Sequence, residues 1–429
     1  MVEQSKLSVE ALAGAISDDA EFLYKIGGFS GRYRIEVPPL AADVILDQGR
    51  IVRVEAASGD APDLGISVPA DVLAAGTRNP PEPGTESAFI AQARGVVFHG
   101  DFAQLVAPYA GAISRTYDLL RRLSGVAEIR IPVGQERLFE DSDTAIGRYA
   151  RVEVEGVRYR VYYETAGEGE TVLLLQHTAG ADGRQWHHQL ADPEFQRRFR
   201  VISYDMPYHG RSLPPTSERW WERPYLPTKE WMIAFVLAFM ETLEIQRPVF
   251  MGCSVGGQLA LDLASAHGDR FKGLVSLNGT LDNPRPGDPY MAAWNNMCRD
   301  NRISTEIYST GNFNGTSPLG PEPFRRELYW IYRSNFPGVY AGDNDYFLDG
   351  HNLTLDGAPL HDISVPVYLL AGEYDPVATD EEHGGPAVAR LFPKVIYREM
   401  KGLSHFAPTD DPVNFSAAVI PVLDKILAS

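Results

Sequence analysis

The chain has 429 residues, 44% of them hydrophobic, and a formal net charge of −18 at pH 7. That length exceeds one ordinary hydrophobic core and predicts two domains. The acidic balance excludes nucleic-acid backbones and anionic membrane surfaces as partners, since both need clustered Lys and Arg. Two cysteines, Cys253 and Cys298, supply neither a disulfide framework nor a zinc cluster. The N-terminus lacks a basic stretch followed by an apolar one, and no segment reaches the length of a membrane span. A cytoplasmic enzyme without cofactor or metal is the expectation.

Ser8 is placed to cap a helix running to about Lys25. Tyr33, Ile35 and Val37 then alternate with Arg32, Arg34 and Glu36 in strand period. Val44 and Leu46, a turn at Asp47-Gln48-Gly49 and the run Ile51 to Val54 predict a hairpin. Ile66 to Leu73 and Val96 to Asp101 follow. Asp101 is expected to cap a helix with Phe102, Leu105, Val106, Tyr109 and Ile113 on one face.

This α+β order over residues 1–123 resembles the sterol carrier protein type 2 fold, with Ser67-Val68-Pro69-Ala70-Asp71-Val72-Leu73 and Gly100-Asp101-Phe102 as its best local matches. The resemblance implies an apolar tunnel for a lipid-like ligand. The alternative is a docking or homodimerisation module without one. Residues 124–148, loosely patterned and charged, suit a linker.

From residue 149 onward strand and helix patterns alternate. Arg151 to Glu155 and Arg158 to Tyr163 predict a hairpin. Val172 to Leu175, Val201 to Tyr204, Val249 to Met251, Leu274 to Leu277, Val367 to Leu370 and Val395 to Tyr397 are the further strands. Continuous apolar runs of this kind belong to a mostly parallel sheet buried on both faces.

Within that frame Gly252-Cys253-Ser254-Val255-Gly256 interrupts an apolar run and resumes as a helix-forming stretch. A serine at the apex of a strand-to-helix reversal needs small neighbours, and it leaves its hydroxyl clear of the sheet. Together with Gln176-His177-Thr178-Ala179-Gly180 and Asp205-Met206-Pro207-Tyr208-His209-Gly210-Arg211-Ser212, this segment makes residues 149–429 resemble an α/β-hydrolase. The resemblance implies Ser254 as nucleophile, Asp375 at the end of a buried strand as acid, and His405 in the last loop as base. By position, the N–H groups of Ala179 and Val255 form the oxyanion hole, with Thr178 as the alternative first donor; Thr178 also stands where glycine is usual. Asp205 and Arg211 are read as organising their turn, His209 as routine in it, Glu373 as a supporting carboxylate and Cys253 as a packing residue.

The remaining histidines show no metal-binding spacing. Residues 280–362, rich in aromatic and Met residues, suit a lid whose side chains either wall an apolar pocket or form the lid's own core. The expected activity is cleavage of a carboxylic ester, thioester or lactone of an apolar or aromatic small molecule. Carbon–carbon bond hydrolysis by the same triad and a lipid carrier with an inactive hydrolase domain are the alternatives.

Overall fold

The computed structural model describes residues 7–131, 135, 137–283, 295, 298, 299, 304–355 and 359–429. Two sheets organise it. The first has five strands, β1 Gly31–Val37, β2 Leu40–Asp47, β3 Arg50–Ala56, β4 Leu64–Ser67 and β5 Val97–His99, in the order β3-β2-β1-β4-β5. Only the β1–β4 pair in it is parallel. Helices α1 Val9–Ser17, α2 Ala20–Lys25, α3 Ala70–Gly76 and α4 Ala110–Leu123 accompany this sheet. The predicted alternation puts Tyr33, Ile35, Val37, Val44 and Leu46 into a core shared with Ile113, Tyr117 and Leu120 of α4. Burying each such side chain contributes on the order of 1.5–3 kcal/mol.

Two local expectations are corrected here. The helix from Ser8 stops at Ser17 and restarts, because Asp19 turns its carboxylate back to accept the Phe22 N–H at 2.8 Å and also takes Arg115 at 3.0 and 2.7 Å. A carboxylate is better satisfied as a cap than in mid-helix. The helix after Asp101 is split as well: a wide π turn over Phe102–Val106 precedes α4, although Asp101 does cap it, accepting the Gln104 N–H at 2.8 Å. Arg34, on the charged side of the β1 alternation, is buried: Asp43 accepts from its Nε and Nη2 at 2.8 and 3.0 Å, and the carbonyls of Ser58 and Asp60 cover the rest. With Arg34, Arg32 and the Ser58 N–H around it, the Asp43 carboxyl is held far below the usual carboxylate range despite burial.

The second sheet has eight strands: β6 Ile146–Val154, β7 Val157–Ala166, β8 Thr171–Gln176, β9 Phe199–Tyr204, β10 Val249–Cys253, β11 Gly273–Leu277, β12 Val367–Gly372 and β13 Val395–Met400, in the order β13-β12-β11-β10-β8-β9-β7-β6. β6 begins at Ile146, which pairs with Thr165, five residues before the predicted hairpin at Arg151; its first four residues are exposed and carry no alternation to read. Strands β10, β11 and β12 are buried at every residue, as their apolar runs predict. The helices used below are α5 His187–Ala191, α6 Lys229–Thr242, α7 Val255–His267, α8 Ser304–Asn314, α9 Glu322–Arg333, α10 Pro337–Asp345 and α11 Pro412–Leu427. Helices α8 to α10 come from the insertion between β11 and β12. No helix among the described residues is long and apolar enough to cross a membrane.

Chain order reverses in the sheet at β8, which pairs in parallel with β9 on one side and β10 on the other. In open parallel sheets such a reversal opens a crevice beyond the carboxyl ends of the strands, where ligands bind. The loops leaving β8 and β10 carry Thr178–Gly180 and Ser254.

Candidate active site

Ser254 sits at φ 57°, ψ −114°, a backbone region that a side-chain-bearing residue enters only under constraint. The constraint is visible. Its N–H donates to the Leu277 carbonyl on β11 at 2.8 Å, and α7 starts at the next residue. A Cβ on Gly252 would run into the Gly256 carbonyl, and one on Gly256 would lie 2.6 Å from Gln176 Cγ. Both glycines are therefore required by contact. The Val255 N–H, in the first turn of α7, has no acceptor inside the helix.

His405 and Asp375 meet at 2.5 Å, His405 Nδ1 to Asp375 Oδ2. Asp375 follows β12, and its other oxygen accepts the N–H groups of Val377 and Ala378 at 3.1 Å each. The His405 loop is fixed from below: Asn278 Nδ2 donates to the His405 carbonyl at 2.9 Å, while Asn278 Oδ1 accepts the Gly372 N–H at 2.8 Å. Glu373 accepts the Gly402 N–H at 2.8 Å, which ties the same loop to β12. The buried Cys253 thiol, pushed up by burial, donates to the His405 carbonyl at 3.2 Å. Nε2 is the His405 nitrogen that Asp375 leaves unengaged.

The loop after β8 supplies three consecutive amides, two of them engaged by side chains. Thr178 donates to Gln185 Oε1 at 2.8 Å, and Gly180 donates to Asp343 Oδ2 at 2.8 Å. The Ala179 N–H between them has no acceptor among the described residues. Below the loop, His177 accepts the Met206 N–H at Nε2, 3.1 Å away, and its Nδ1 donates to the Thr178 carbonyl at 2.9 Å. Burial and the neighbouring His209 push His177 down to about 4, so it is neutral. His209 is the opposite case: both nitrogens face oxygen, Asp343 at 2.8 Å and the Pro207 carbonyl at 3.0 Å. Burial opposes its charge, but Asp343 outweighs burial and raises it. Asp205 accepts the Gly183 and Arg211 N–H groups at 2.9 and 2.7 Å, closing the turn that holds His209.

Ser254, Asp375, His405, Thr178 and Ala179 line one cavity of about 290 Å³. The insertion adds Asn312, Tyr340, Asn344 and Phe347, and the N-terminal domain adds Phe89, Ile90 and Gln92. Of the other insertion aromatics, Tyr308, Tyr332 and Tyr346 pack into the core and Phe324 packs edge-to-face on His188, with ring centroids 5.0 Å apart; Tyr290, Met291, Trp294 and Met297 lie outside the described residues. Among the described residues no Lys or Arg lines the cavity.

His187 and His188 meet Glu327 of α9, their Nε2 atoms 3.3 and 2.8 Å from its Oε2. Their spacing in the sequence gives no hint of this grouping, whose ligand atoms lie within 4.8 Å of one another. His187 also turns Nδ1 to the Arg184 carbonyl at 2.7 Å, so both its nitrogens face oxygen acceptors, the arrangement of an imidazolium paired with a carboxylate. Asp343, Gln185, Asn278 and the three N-terminal residues of the cavity are absent from the sequence-based expectation, and no motif marks them.

Residues 171–412 match the alpha/beta hydrolase fold family. The chain is 30% identical over 148 residues to a 2-hydroxy-6-oxononadienedioate/2-hydroxy-6-oxononatrienedioate hydrolase of Burkholderia vietnamiensis, a match covering 33% of this chain and 48%, about half, of that relative. It is 25% identical over 274 residues to 3-oxoadipate enol-lactonase 2 of Acinetobacter baylyi, covering 61% of this chain and 92% of the relative. Among solved structures, the enol-lactonase of Burkholderia xenovorans superposes with a TM-score of 0.53 at 22% identity, over 66% of this chain and all (100%) of its own. An esterase of Thermogutta terrifontis gives 0.54 at 20% identity, over 66% of this chain and 99% of its own. At these identities the structures speak for the fold. With the family match spanning more than half of its residues, the chain is an enzyme belonging to the alpha/beta hydrolase fold family.

Proposed function

We propose that the chain is a serine hydrolase that cleaves a carboxylic ester, thioester or lactone of a fairly apolar, uncharged small molecule through an acyl-enzyme on Ser254. The observation that carries this reading is the convergence on one cavity of Ser254 at its strained turn, the 2.5 Å His405–Asp375 pair and the unengaged Ala179 N–H. In the mechanism, His405 Nε2 takes the Ser254 proton as Oγ bonds to the substrate carbonyl carbon. Asp375 holds the imidazole tautomer and balances the imidazolium. The Ala179 and Val255 N–H groups receive the oxyanion. Collapse breaks the bond to the leaving group, which takes its proton from His405. Water, deprotonated by His405, then releases the acid and restores Ser254.

The insertion between β11 and β12 is read as a lid over this cavity. Carbon–carbon hydrolysis would use the same triad, and one relative is named for a dioate substrate. A cavity without a cation among its described lining residues favours a neutral substrate over a diacid. For residues 1–123, the sterol carrier resemblance supports a lipid-like ligand, whereas the presence of all three triad members weighs against a carrier with an inactive hydrolase domain.

The test is turnover of p-nitrophenyl acyl esters of increasing chain length, combined with covalent labelling by a fluorophosphonate. Ser254→Ala is expected to abolish labelling and reduce turnover at least about 10⁴-fold. Full activity in that variant would overturn the proposal.

A further inference from the structure

The N-terminal domain is docked against the insertion and the acid-bearing loop by polar contacts on several elements. Ser87 Oγ donates to the Asn314 carbonyl at 2.9 Å, and Asn314 Nδ2 donates to Ser114 Oγ at 2.9 Å. Lys25 Nζ reaches the Tyr329 hydroxyl at 2.8 Å and Glu306 at 3.3 Å. Arg326 of α9 holds both oxygens of Glu21, at 2.5 and 2.9 Å. Tyr374, next to Asp375, donates its hydroxyl to the Pro81 carbonyl at 2.9 Å. Ala107, Ala110 and Ile307 form a small apolar cluster across the same junction.

This docking fixes one short segment over the catalytic cavity. Ser87, Ala88 and Ala91 are buried and anchor the turn Ile90–Arg94. Beside those anchors Phe89, Ile90 and Gln92 remain half-buried and line the cavity that holds Ser254 and His405. Phe89 is braced edge-to-face on Phe98 of β5, with ring centroids 5.0 Å apart. Gln92 Nε2 donates to the Phe89 backbone carbonyl at 3.4 Å, which ties its carboxamide to the same turn.

We infer that Phe89, Ile90 and Gln92 are the specificity wall of the active site, so that the N-terminal domain selects the substrate of the hydrolase domain. The group selected is an uncharged, extended apolar chain that lies on Phe89 and Ile90, with a hydrogen-bonding atom within reach of the carboxamides of Gln92, Asn312 and Asn344. The inference rests on Ser254 being the nucleophile.

The test uses the full chain and two probes, a short ethyl and a long dodecyl fluorophosphonate. Each bonds through phosphorus to Ser254 Oγ with loss of fluoride, so neither requires turnover. Ile90→Trp, which fills the wall, should lower the ratio of long-chain to short-chain labelling rates about tenfold. Ile90→Ala, which only removes atoms, should move the ratio away from its wild-type value without risk of overpacking. Val52→Trp, at an exposed position on β3, should leave it unchanged. Wild-type ratios in both Ile90 variants would overturn the wall while leaving the nucleophile standing. Absence of labelling in the wild type by either probe would overturn both readings.

Discussion

Asp343 and Gly180, 163 residues apart in the chain, are joined by a 2.8 Å hydrogen bond in which the Gly180 N–H donates to Asp343 Oδ2. The bond runs from the insertion to the loop that presents Ala179. The same oxygen accepts from His209, so one buried carboxylate orients the loop that carries Ala179 and pairs with the histidine beneath it. Asp343→Ala is expected to lower kcat about 10- to 100-fold by loosening the loop. It should also cost about 3 kcal/mol of stability, because the His209 charge loses its partner. Steady-state kinetics and urea denaturation read the two effects separately; an unchanged kcat would show that the loop holds its shape alone.

Gln185 plays the corresponding part for Thr178, whose side chain makes this loop stiffer than a glycine would. In Gln185→Leu the Thr178 N–H loses its buried acceptor, and a loss of about 1–3 kcal/mol is expected. The urea midpoint should fall with an unchanged slope. A stability equal to wild type would mean that another acceptor takes over.

Gly252 is held to glycine by the Gly256 carbonyl opposite it. Gly252→Ala should cost about 3 kcal/mol or more, since backbone rather than a flexible side chain must move. Labelling of Ser254 should fall with it. Gly59→Ala, where nothing lies within 4 Å of an added Cβ, is the comparison and should be near neutral.

Asp410 accepts from the hydroxyl of Ser404, the chain neighbour of His405, and from the Ser317 N–H, each at 2.6 Å. Burial raises it from its ordinary value of 3.8 to about 6. A carboxyl raised in the folded state favours folding in its protonated form. That contribution is complete below 3.8 and is lost as pH rises through about 6. The melting temperature of wild type relative to Asp410→Asn should therefore decline between these two pH values. A difference constant across that window would show that Asp410 titrates normally.

Legibility in the sequence followed the range of the interactions. The strands of the large sheet announce themselves because burial on both faces demands continuous apolar runs, and Ser254 does so because its turn demands glycines within two residues. Arg34 defeats the same reasoning: its alternation is that of a half-exposed strand, but a loop 24 residues away supplies the Ser58 carbonyl that covers it. The break at Asp19 escapes it too, because the competition between helix and cap is decided partly by Arg115, 96 residues on.

By itself, then, the sequence determined the strands of the large sheet and the glycine-flanked turn at Ser254, since each is written in local periodicity or turn chemistry, and it supplied Ser254, Asp375 and His405 as the candidates for nucleophile, acid and base. Only the tertiary structure decided which amide of Thr178, Ala179 and Gly180 lacks an acceptor, and that Phe89, Ile90 and Gln92 stand over Ser254. Those facts depend on hydrogen-bond partners and packing surfaces from distant segments, which carry no periodic signal and exist only once the chain has closed.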